Sequence, residues 1–87
     1  MNVQVNYTNA LYGEFEEYSS TLSEIVDSFN GENVFLNLGD TKNGITEWVM
    51  SDELELTEEL LLNILQSKGI ADIQNGYAWT TLKEVKK

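Results

Sequence analysis

The stretch from Asp52 to Gly69, DELELTEELLLNILQSKG, most constrains the fold, because it joins a carboxylate cluster to a leucine-dense helix. Thr57 suits the N-cap position and Gly69 the helix end. The apolar residues of this helix spread over an arc of roughly 200°, about twice the usual apolar stripe of a surface helix. One sheet face cannot cover all of that arc, so we expect a core helix with one exposed apolar edge. The arc comprises Leu60, Leu61, Leu62, Ile64 and Leu65.

The first third of the chain predicts a strand followed by a helix. Apolar and polar residues alternate from residue 2 to 7, as in a strand with one buried face. From Leu11 to Phe29, apolar residues recur at steps of three and four, which places them on one stripe of an α-helix. We therefore predict a helix from about residue 10 to 30, ending at Asn30-Gly31.

Two features of this segment favour a later helix start. Gly13 lies near the predicted beginning, and Thr21 with Glu24 forms a capping-box pattern. If the helix starts near Thr21, residues 10 to 18 can instead pair with the first strand as a β-hairpin. The sequence leaves both alternatives open.

The rest of the chain predicts two hairpins on either side of the leucine-rich helix. Val34, Leu36 and Leu38 alternate with other residues, and the turn residues GDTKNG then lead into an extended run from residue 45 to 50. After the helix, Asn75-Gly76 is a strong hairpin signal between two extended runs. It predicts a brief edge strand at 70–74 and a final strand from about 77 to 85.

The element order β-α-β-β-α-β predicts an α+β fold of the ferredoxin-like type, in which an antiparallel sheet carries both helices on one face. The run at 70–74 adds a possible short strand, and the later helix start would give a ββαββαβ meander instead. We expect one domain over residues 1–87, because a chain of 87 residues is too short for two ordinary cores.

Composition excludes several classes of function. Fifteen acidic residues against five lysines give a net charge of −10, with no Arg, His or Cys. Such a chain repels nucleic acid and anionic lipid and lacks the usual ligands for zinc. The sequence contains no phosphate-binding loop, and Lys42 stands where a calcium loop needs a carboxylate. We therefore expect no enzymatic activity and no cofactor.

The chain also lacks the sequence features of membrane targeting. The N-terminus has neither a basic region nor an apolar run, and no segment approaches the roughly 20 apolar residues that span a bilayer. The absence of Cys is compatible with a reducing compartment. We expect a soluble cytoplasmic protein.

The acidic residues are concentrated in the first three quarters of the sequence. Residues 1–68 contain thirteen acidic residues and two lysines, whereas residues 69–87 have a net charge of +1. On one helix, Glu17, Glu24 and Asp27 would line an outward face at separations of about 5 to 10 Å, where they could stand in for phosphates. Candidate partner-binding residues are Glu14, Glu16, Glu17, Glu24, Asp27, Asp52, Glu53, Glu55, Glu58 and Glu59, with Trp48 or Tyr12 as an anchor.

The aromatic residues Phe35, Trp48 and Trp79 allow two interpretations. If the helices cover the face that contains Leu36, Phe35 points to the opposite, open face of the sheet with the two tryptophans as neighbours. Trp and Tyr are frequent anchors of protein interfaces. Alternatively, these rings belong to the core, because the facing of a strand depends on its register.

In general character, a small acidic domain without Cys resembles inhibitor proteins such as phage-encoded anti-restriction, anti-CRISPR and uracil-DNA glycosylase inhibitors, and bacterial immunity proteins. The resemblance is one of composition and assigns no residue roles. Together with the charge, it predicts a non-enzymatic inhibitor that binds a basic nucleic-acid-binding protein, such as a nuclease or defence effector, as a partial DNA mimic. The alternative is a homodimeric assembly module whose acidity only serves solubility.

Overall fold

The computed structural model describes residues 2–29, 31–40 and 43–85, which form six strands and two helices. In chain order these are β1 (Asn2–Asn9), β2 (Glu14–Thr21), α1 (Leu22–Phe29), β3 (Phe35–Asn37), β4 (Trp48–Met50), α2 (Glu58–Lys68), β5 (Ile70–Asn75) and β6 (Ala78–Glu84). The strands form one antiparallel sheet in the order β2-β1-β6-β5-β3-β4. The α+β class is confirmed, but the ferredoxin-like order is not, because the sheet has six strands and β2 forms one edge.

The predicted helix over residues 10–30 is wrong in its first half. Residues 14–21 form β2, and all eight pair with β1, from Asn9↔Glu14 to Asn2↔Thr21. The hairpin turn that joins the two strands has Gly13 at φ +65°, a conformation that suits glycine. The Asn9 side-chain oxygen accepts hydrogen bonds from the backbone N–H groups of Leu11 and Tyr12 at 3.0 and 3.3 Å, which fixes the turn.

Helix α1 begins where the capping-box pattern indicates. The Thr21 hydroxyl accepts a hydrogen bond from the Glu24 backbone N–H at 3.2 Å and donates one to the Glu24 carboxylate at 3.0 Å. These bonds satisfy groups that a helix start otherwise leaves unpaired. The alternative hairpin is therefore the correct interpretation. The predicted helix end at Asn30 lies outside the described residues.

The strand predicted at 70–74 exists, but it is not an edge strand. β5 lies inside the sheet between β6 and β3, and it is joined to β6 by a two-residue turn that starts at Gly76. Gly76 has φ +60°, as the predicted hairpin requires. On β5, Ala71 and Ile73 are buried, whereas Asp72 between them is only partly buried.

Both helices cover the same face of the sheet, as predicted. Val5 pairs with Leu82 and Leu82 with Ala71, so these side chains share one face. They belong to a core that includes residues of both helices. Burial of each large aliphatic side chain stabilises the fold by about 1.5–3 kcal/mol. The core consists of Val3, Val5, Leu22, Ile25, Val34, Leu36, Leu61, Ile64, Leu65, Ala71, Ile73 and Leu82.

Helix α2 has the predicted caps, and its apolar arc is buried in the middle and partly buried on its flanks. The Thr57 hydroxyl accepts a hydrogen bond from the Leu60 N–H at 3.1 Å, and Gly69, at φ +79°, donates its N–H to the Leu65 carbonyl. Leu60 and Leu62, on the flanks of the arc, are partly buried and pack against the core. Much of the wide arc is buried because α2 contacts α1 as well as β5 and β6. Leu60 and Leu62 nevertheless keep part of their surface exposed, and Leu62 lines a groove with Glu58 and Glu59.

The loop between β3 and β4 is closed by its own backbone and by the end of α2. The buried Asn37 side-chain oxygen accepts hydrogen bonds from the N–H groups of Gly39 at 3.0 Å and Glu47 at 3.1 Å. The Lys68 ammonium donates to the carbonyls of Asn37 and Gly39. A Cβ atom at Gly39 would lie 2.4 Å from the Ile45 carbonyl oxygen, so only glycine fits there. Residues 41 and 42 of the predicted turn lie outside the described residues.

The predicted β3–β4 hairpin is confirmed, with shorter strands than the sequence indicates. Phe35 pairs with Met50, and Leu36 with Val49. Within the described part of the chain, no helix is long and apolar enough to cross a membrane.

Candidate functional site

The predicted acidic cluster at the start of β2 is divided between the two faces of the sheet. Glu14 and Glu16 lie on the side of the helices, because Glu16 pairs with Tyr7 and Tyr7 pairs with Thr80, which faces the core. Glu17 points to the opposite face, since successive strand residues alternate. The predicted helical row of Glu17, Glu24 and Asp27 is therefore wrong, because Glu17 belongs to a strand.

Glu14 and Glu16 line a groove of about 430 Å³, called here the β2 groove. Its floor is the helix-side face of the sheet near the β1–β2 turn, and its wall is formed by the end of α1 and by Glu32. The groove exists because α1 has only eight residues and leaves this end of the sheet uncovered. Its lining residues are Tyr7, Glu14, Glu16, Tyr18, Ile25, Ser28, Phe29, Glu32, Asn75, Ala78 and Thr80.

Several hydrogen bonds hold the polar groups of the β2 groove. The Asn75 side-chain amide donates to the Glu32 carboxylate at 3.0 Å, which ties the loop after α1 to the end of β5. The Asn9 amide donates to the Tyr7 hydroxyl at 3.2 Å. Three carboxylates and two tyrosine rings therefore line the same groove.

One tyrosine of this groove has a shifted pKa. Burial raises the pKa of the Tyr18 hydroxyl above its ordinary value of 10.0, and the negative charge of Glu16 and then that of Tyr7 raise it further. Tyr18 therefore stays protonated and neutral at pH 7.

A second groove of about 440 Å³, called here the loop groove, lies on the other side of α1. Asp27 of α1 and Glu55 of the loop before α2 line it together. The two grooves adjoin, because Phe29 and Glu32 line both of them. The fold thus places acidic residues of β2, α1 and the segment before α2 along two grooves that share lining residues.

The remaining predicted residues lie outside these two grooves. Glu58 and Glu59, in the first turn of α2, line a smaller groove of about 220 Å³ with Leu22. Glu24 is exposed in the first turn of α1, where its carboxylate accepts a hydrogen bond from the Thr21 hydroxyl.

Four other predicted residues lie at the ends of the sheet. Asp52 and Glu53 are exposed in the turn after β4, and Trp48 lies on β4 itself with 39% of its surface exposed. Tyr12 is at the tip of the β1–β2 hairpin, 71% exposed. Neither Trp48 nor Tyr12 contacts the β2 groove or the loop groove as a lining residue.

The sequence predictions missed Glu32, Tyr7, Tyr18 and Thr80. Glu32 stands alone in its segment, and its role depends on Asn75, 43 residues away in sequence. The two tyrosines were assigned to the faces of a strand and a helix, with no indication that they meet. Only the β1–β2 pairing, in which Tyr7 lies opposite Glu16, could have indicated this cluster.

The open face of the sheet carries a row of residues that crosses all six strands. Register places Phe15, Thr8, Trp79, Gln74, Phe35 and Met50 side by side. Phe35 is 38% and Trp79 39% exposed, which confirms that these rings point away from the helices. The row is called here the open-face row.

Among the described residues, no group of three or more Asp or Glu side chains is close enough to hold a metal ion. Neither of the described lysines, Lys68 and Lys83, lines the β2 groove or the loop groove. The acidic residues that line these two grooves therefore have neither of these lysines beside them in the lining.

No protein-family model, curated protein or solved structure matches this chain.

Proposed function

We propose that this chain is a small, acidic, non-enzymatic inhibitor that binds a basic nucleic-acid-binding protein, such as a nuclease or defence effector, and covers its nucleic-acid groove. The observation that supports this proposal best is the position of the acidic residues around the end of α1. Glu14 and Glu16 of β2 and Asp27 and Glu55 on the other side of α1 line adjoining grooves.

The charges of these two grooves explain why a basic partner is the expected one. The carboxylates share a surface without either of the described lysines, so they repel one another and the pair of grooves carries a negative potential. A partner with Lys and Arg side chains in a nucleic-acid groove offsets that repulsion. Long-range attraction speeds the encounter, and charge pairs set the orientation of the complex.

The proposal is tested by capture from a host lysate at low and high salt, followed by identification of the bound protein. We expect a basic nucleic-acid-binding protein that is released as salt rises, because exposed charges are screened beyond about 10 Å at 0.1 M. Activity of the captured protein on its nucleic acid should fall when this chain is added. Capture of a partner whose binding does not depend on salt contradicts the electrostatic form of the proposal.

A pair of variants separates the positions of the carboxylates from net charge. One variant neutralises Glu14, Glu16, Asp27 and Glu55, and the matched control neutralises Glu17, Glu47, Glu53 and Glu84. Both variants carry the same net charge. We expect the first to slow association by about tenfold or more and the control to slow it much less, because steering depends on where the charges lie. An equal effect of the two variants shows that only net charge matters.

The open-face row supports a second candidate, the homodimeric module. Phe15, Trp79 and Phe35 present exposed rings that neither α1 nor α2 covers, and aromatic rings are favoured at protein interfaces. The leucine-rich helix offers less apolar surface for a seam, since Leu61, Ile64 and Leu65 are buried in the core. Sedimentation of the wild-type chain distinguishes the candidates: a tight dimer that Phe35→Ser and Trp79→Ser disrupt favours the module.

A further inference from the structure

The outer edge of β2 is an exposed strand edge, because β2 has a neighbour on one side only among the described strands. All eight of its residues pair with β1, and six of them are exposed. We propose that a second copy of this chain pairs with this edge, antiparallel to β2 and about a two-fold axis beside Tyr18. The two six-stranded sheets then form one continuous sheet. This inference does not rest on the proposed function, because it concerns the backbone of the strand and not the acidic grooves.

The two edges of the sheet differ in how well they are protected from such pairing. β4, at the other edge, has only three residues, and a short edge strand offers few backbone groups to another chain. β2 has eight residues and contains no proline, lysine or bulge that would interrupt pairing. Alternate residues of an antiparallel strand direct their N–H and C=O groups away from the paired neighbour. β2 therefore presents a row of backbone donors and acceptors that an added strand can use.

The distribution of charge along β2 favours a second copy as the added strand. The glutamates of EFEEYSST all lie in its first half, and its second half is uncharged. In an antiparallel pair of identical strands, the first half of one strand lies opposite the second half of the other. Each acidic half then meets serine and threonine side chains, whose hydroxyl groups can donate hydrogen bonds to the carboxylates. Glutamates in both halves would place like charges opposite each other, which destabilises a sheet.

The same charges indicate the register of the pair. A two-fold axis perpendicular to the sheet keeps the helices of both copies on one side. Centring the pair on Tyr18 places Glu17 opposite Ser19 of the other copy, and it places Glu16 opposite Ser20. Centring it on Glu17 would place the two copies of that glutamate opposite each other, whereas centring it on Ser19 would shorten the paired segment. The register centred on Tyr18 is therefore the longest one without directly opposed glutamates.

Two exposed rings lose contact with solvent in this arrangement. Tyr18 is 43% and Phe15 62% exposed in the single chain. The two copies of Tyr18 lie side by side, and Phe15 lies opposite Thr21 at each end of the paired segment. Aromatic–aromatic and aromatic–β-branched pairs of this kind stabilise antiparallel strands. The contact of one strand edge is small, so we expect a reversible dimer with a dissociation constant in the micromolar range.

Repulsion between two chains that each have a net charge of −10 opposes the dimer. The nearest glutamates across the axis are the two copies of Glu17, which are diagonal neighbours about 7–8 Å apart. Salt screens the repulsion between exposed charges, so the dimer should become tighter as salt rises. The proposed complex with a basic protein becomes weaker as salt rises. The two kinds of association therefore respond to salt in opposite directions.

Sedimentation velocity of the full chain, over a range of concentrations at low and high salt, measures the association. We expect an equilibrium between monomer and dimer that shifts toward the dimer at high salt. A chain that stays monomeric at millimolar concentration in high salt overturns the proposal. A dimer that Phe35→Ser with Trp79→Ser abolishes also overturns it, because that dimer uses the open-face row. Capture of a basic protein from a lysate does not depend on either result, so this inference and the proposed function can fail separately.

Ser19 tests the register with charge-matched controls. Ser19→Lys places an ammonium group opposite Glu17 of the other copy, twice in each dimer, and should tighten the dimer about fivefold. Ser19→Glu places a carboxylate there and should weaken it about tenfold. Gln66 is exposed near the end of α2, so Gln66→Lys and Gln66→Glu make the same changes in net charge and should alter the dissociation constant about twofold or less. Equal effects at the two positions overturn the proposal.

Cysteine substitutions test the two-fold axis, because the chain contains no cysteine. Directly opposed residues of antiparallel strands have Cα atoms about 4.5–5.5 Å apart, so Tyr18→Cys places two thiols within reach of a disulfide. Glu16→Cys is the control, because the two copies of this residue lie four positions apart along the joined strands, about 13 Å. With oxidised glutathione, we expect Tyr18→Cys to form a covalent dimer about tenfold faster than Glu16→Cys. Equal rates of cross-linking overturn the pairing at β2.

Discussion

The two faces of the sheet are built from alternate residues of the same strands, yet they differ in what covers them. On β3, Leu36 is almost fully buried under the helices, whereas its neighbour Phe35 is 38% exposed on the open face. On β6, Thr80 is buried and Trp79 is exposed in the same way. The difference shows that the position of the helix layer, more than the hydrophobicity of a residue, decides which apolar side chains stabilise this fold.

The same comparison applies within the helix side of the sheet. α1 covers the central part of that face and stops at Phe29, so the end near the β1–β2 turn is uncovered and lined by acidic residues. The core therefore lies where the helices cover the sheet, and the β2 groove lies where α1 no longer covers it. The open face has no helix in the described part of the chain, and apolar rings stay exposed there.

The largest expected effect comes from the two neighbouring residues of β3. Leu36→Ala should lower the free energy of unfolding by about 2–5 kcal/mol, because it leaves a cavity in the core. Phe35→Ala should cost about 1 kcal/mol or less, since the ring is partly solvated in the folded state. Urea denaturation of both variants measures the difference. Equal losses would show that the open face is covered in solution, for example by a second copy of the chain.

A smaller effect is expected at Asn37, which lies beside the open-face row and is nevertheless buried. Asn37→Ala removes the acceptor of the Gly39 and Glu47 N–H groups and should cost about 1–3 kcal/mol, because those donors lose their partner. The exposed Asn63 of α2 provides the control, since Asn63→Ala should be neutral or slightly stabilising in a helix. An unchanged free energy of unfolding in Asn37→Ala would show that water replaces Asn37 as the partner of these N–H groups. The solvated part of the open face would then include this loop.

The smallest effect is expected at Tyr18, at the border between the covered and uncovered parts of the helix side. The pKa of Tyr18 is raised in the folded state, so the folded protein favours the protonated phenol. This stabilisation is fully present below pH 10.0, the ordinary pKa, and is lost as pH rises through the raised folded value. Tyr18→Phe should therefore lose less stability than the wild type between pH 8 and pH 10.5, as measured by urea midpoints. Parallel losses would show that the hydroxyl is solvated to the same extent in both states.

Local sequence rules were sufficient for much of the fold. The alternation of residues 2–7 predicted β1, and the cap residues Thr57 and Gly69 predicted α2, because caps and short periodicities depend only on near neighbours. Asn75-Gly76 predicted the β5–β6 turn for the same reason. The placement of both helices on one face was predicted from the order of the elements along the chain.

The residues from Leu11 to Tyr18 show where local rules were insufficient. Their spacing fits a helix, but the five residues from Glu14 to Tyr18 pair with β1. This pairing joins distant parts of the sequence, so local spacing does not predict it. β5 was predicted as an edge for a similar reason, because its pairing with β3 joins Leu36 to Ile73 across 37 positions of sequence.

By itself, the sequence determined the α+β class, the caps and turns, and the negative charge of −10, since each depends on composition or on residues close in the chain. Only the tertiary structure decided the six-strand order, the burial of the leucine-rich arc and the meeting of Glu14, Glu16 and Glu32 around two tyrosines. The physical reason is that strand register and helix length set which distant residues become neighbours, and neither quantity is encoded in a local pattern.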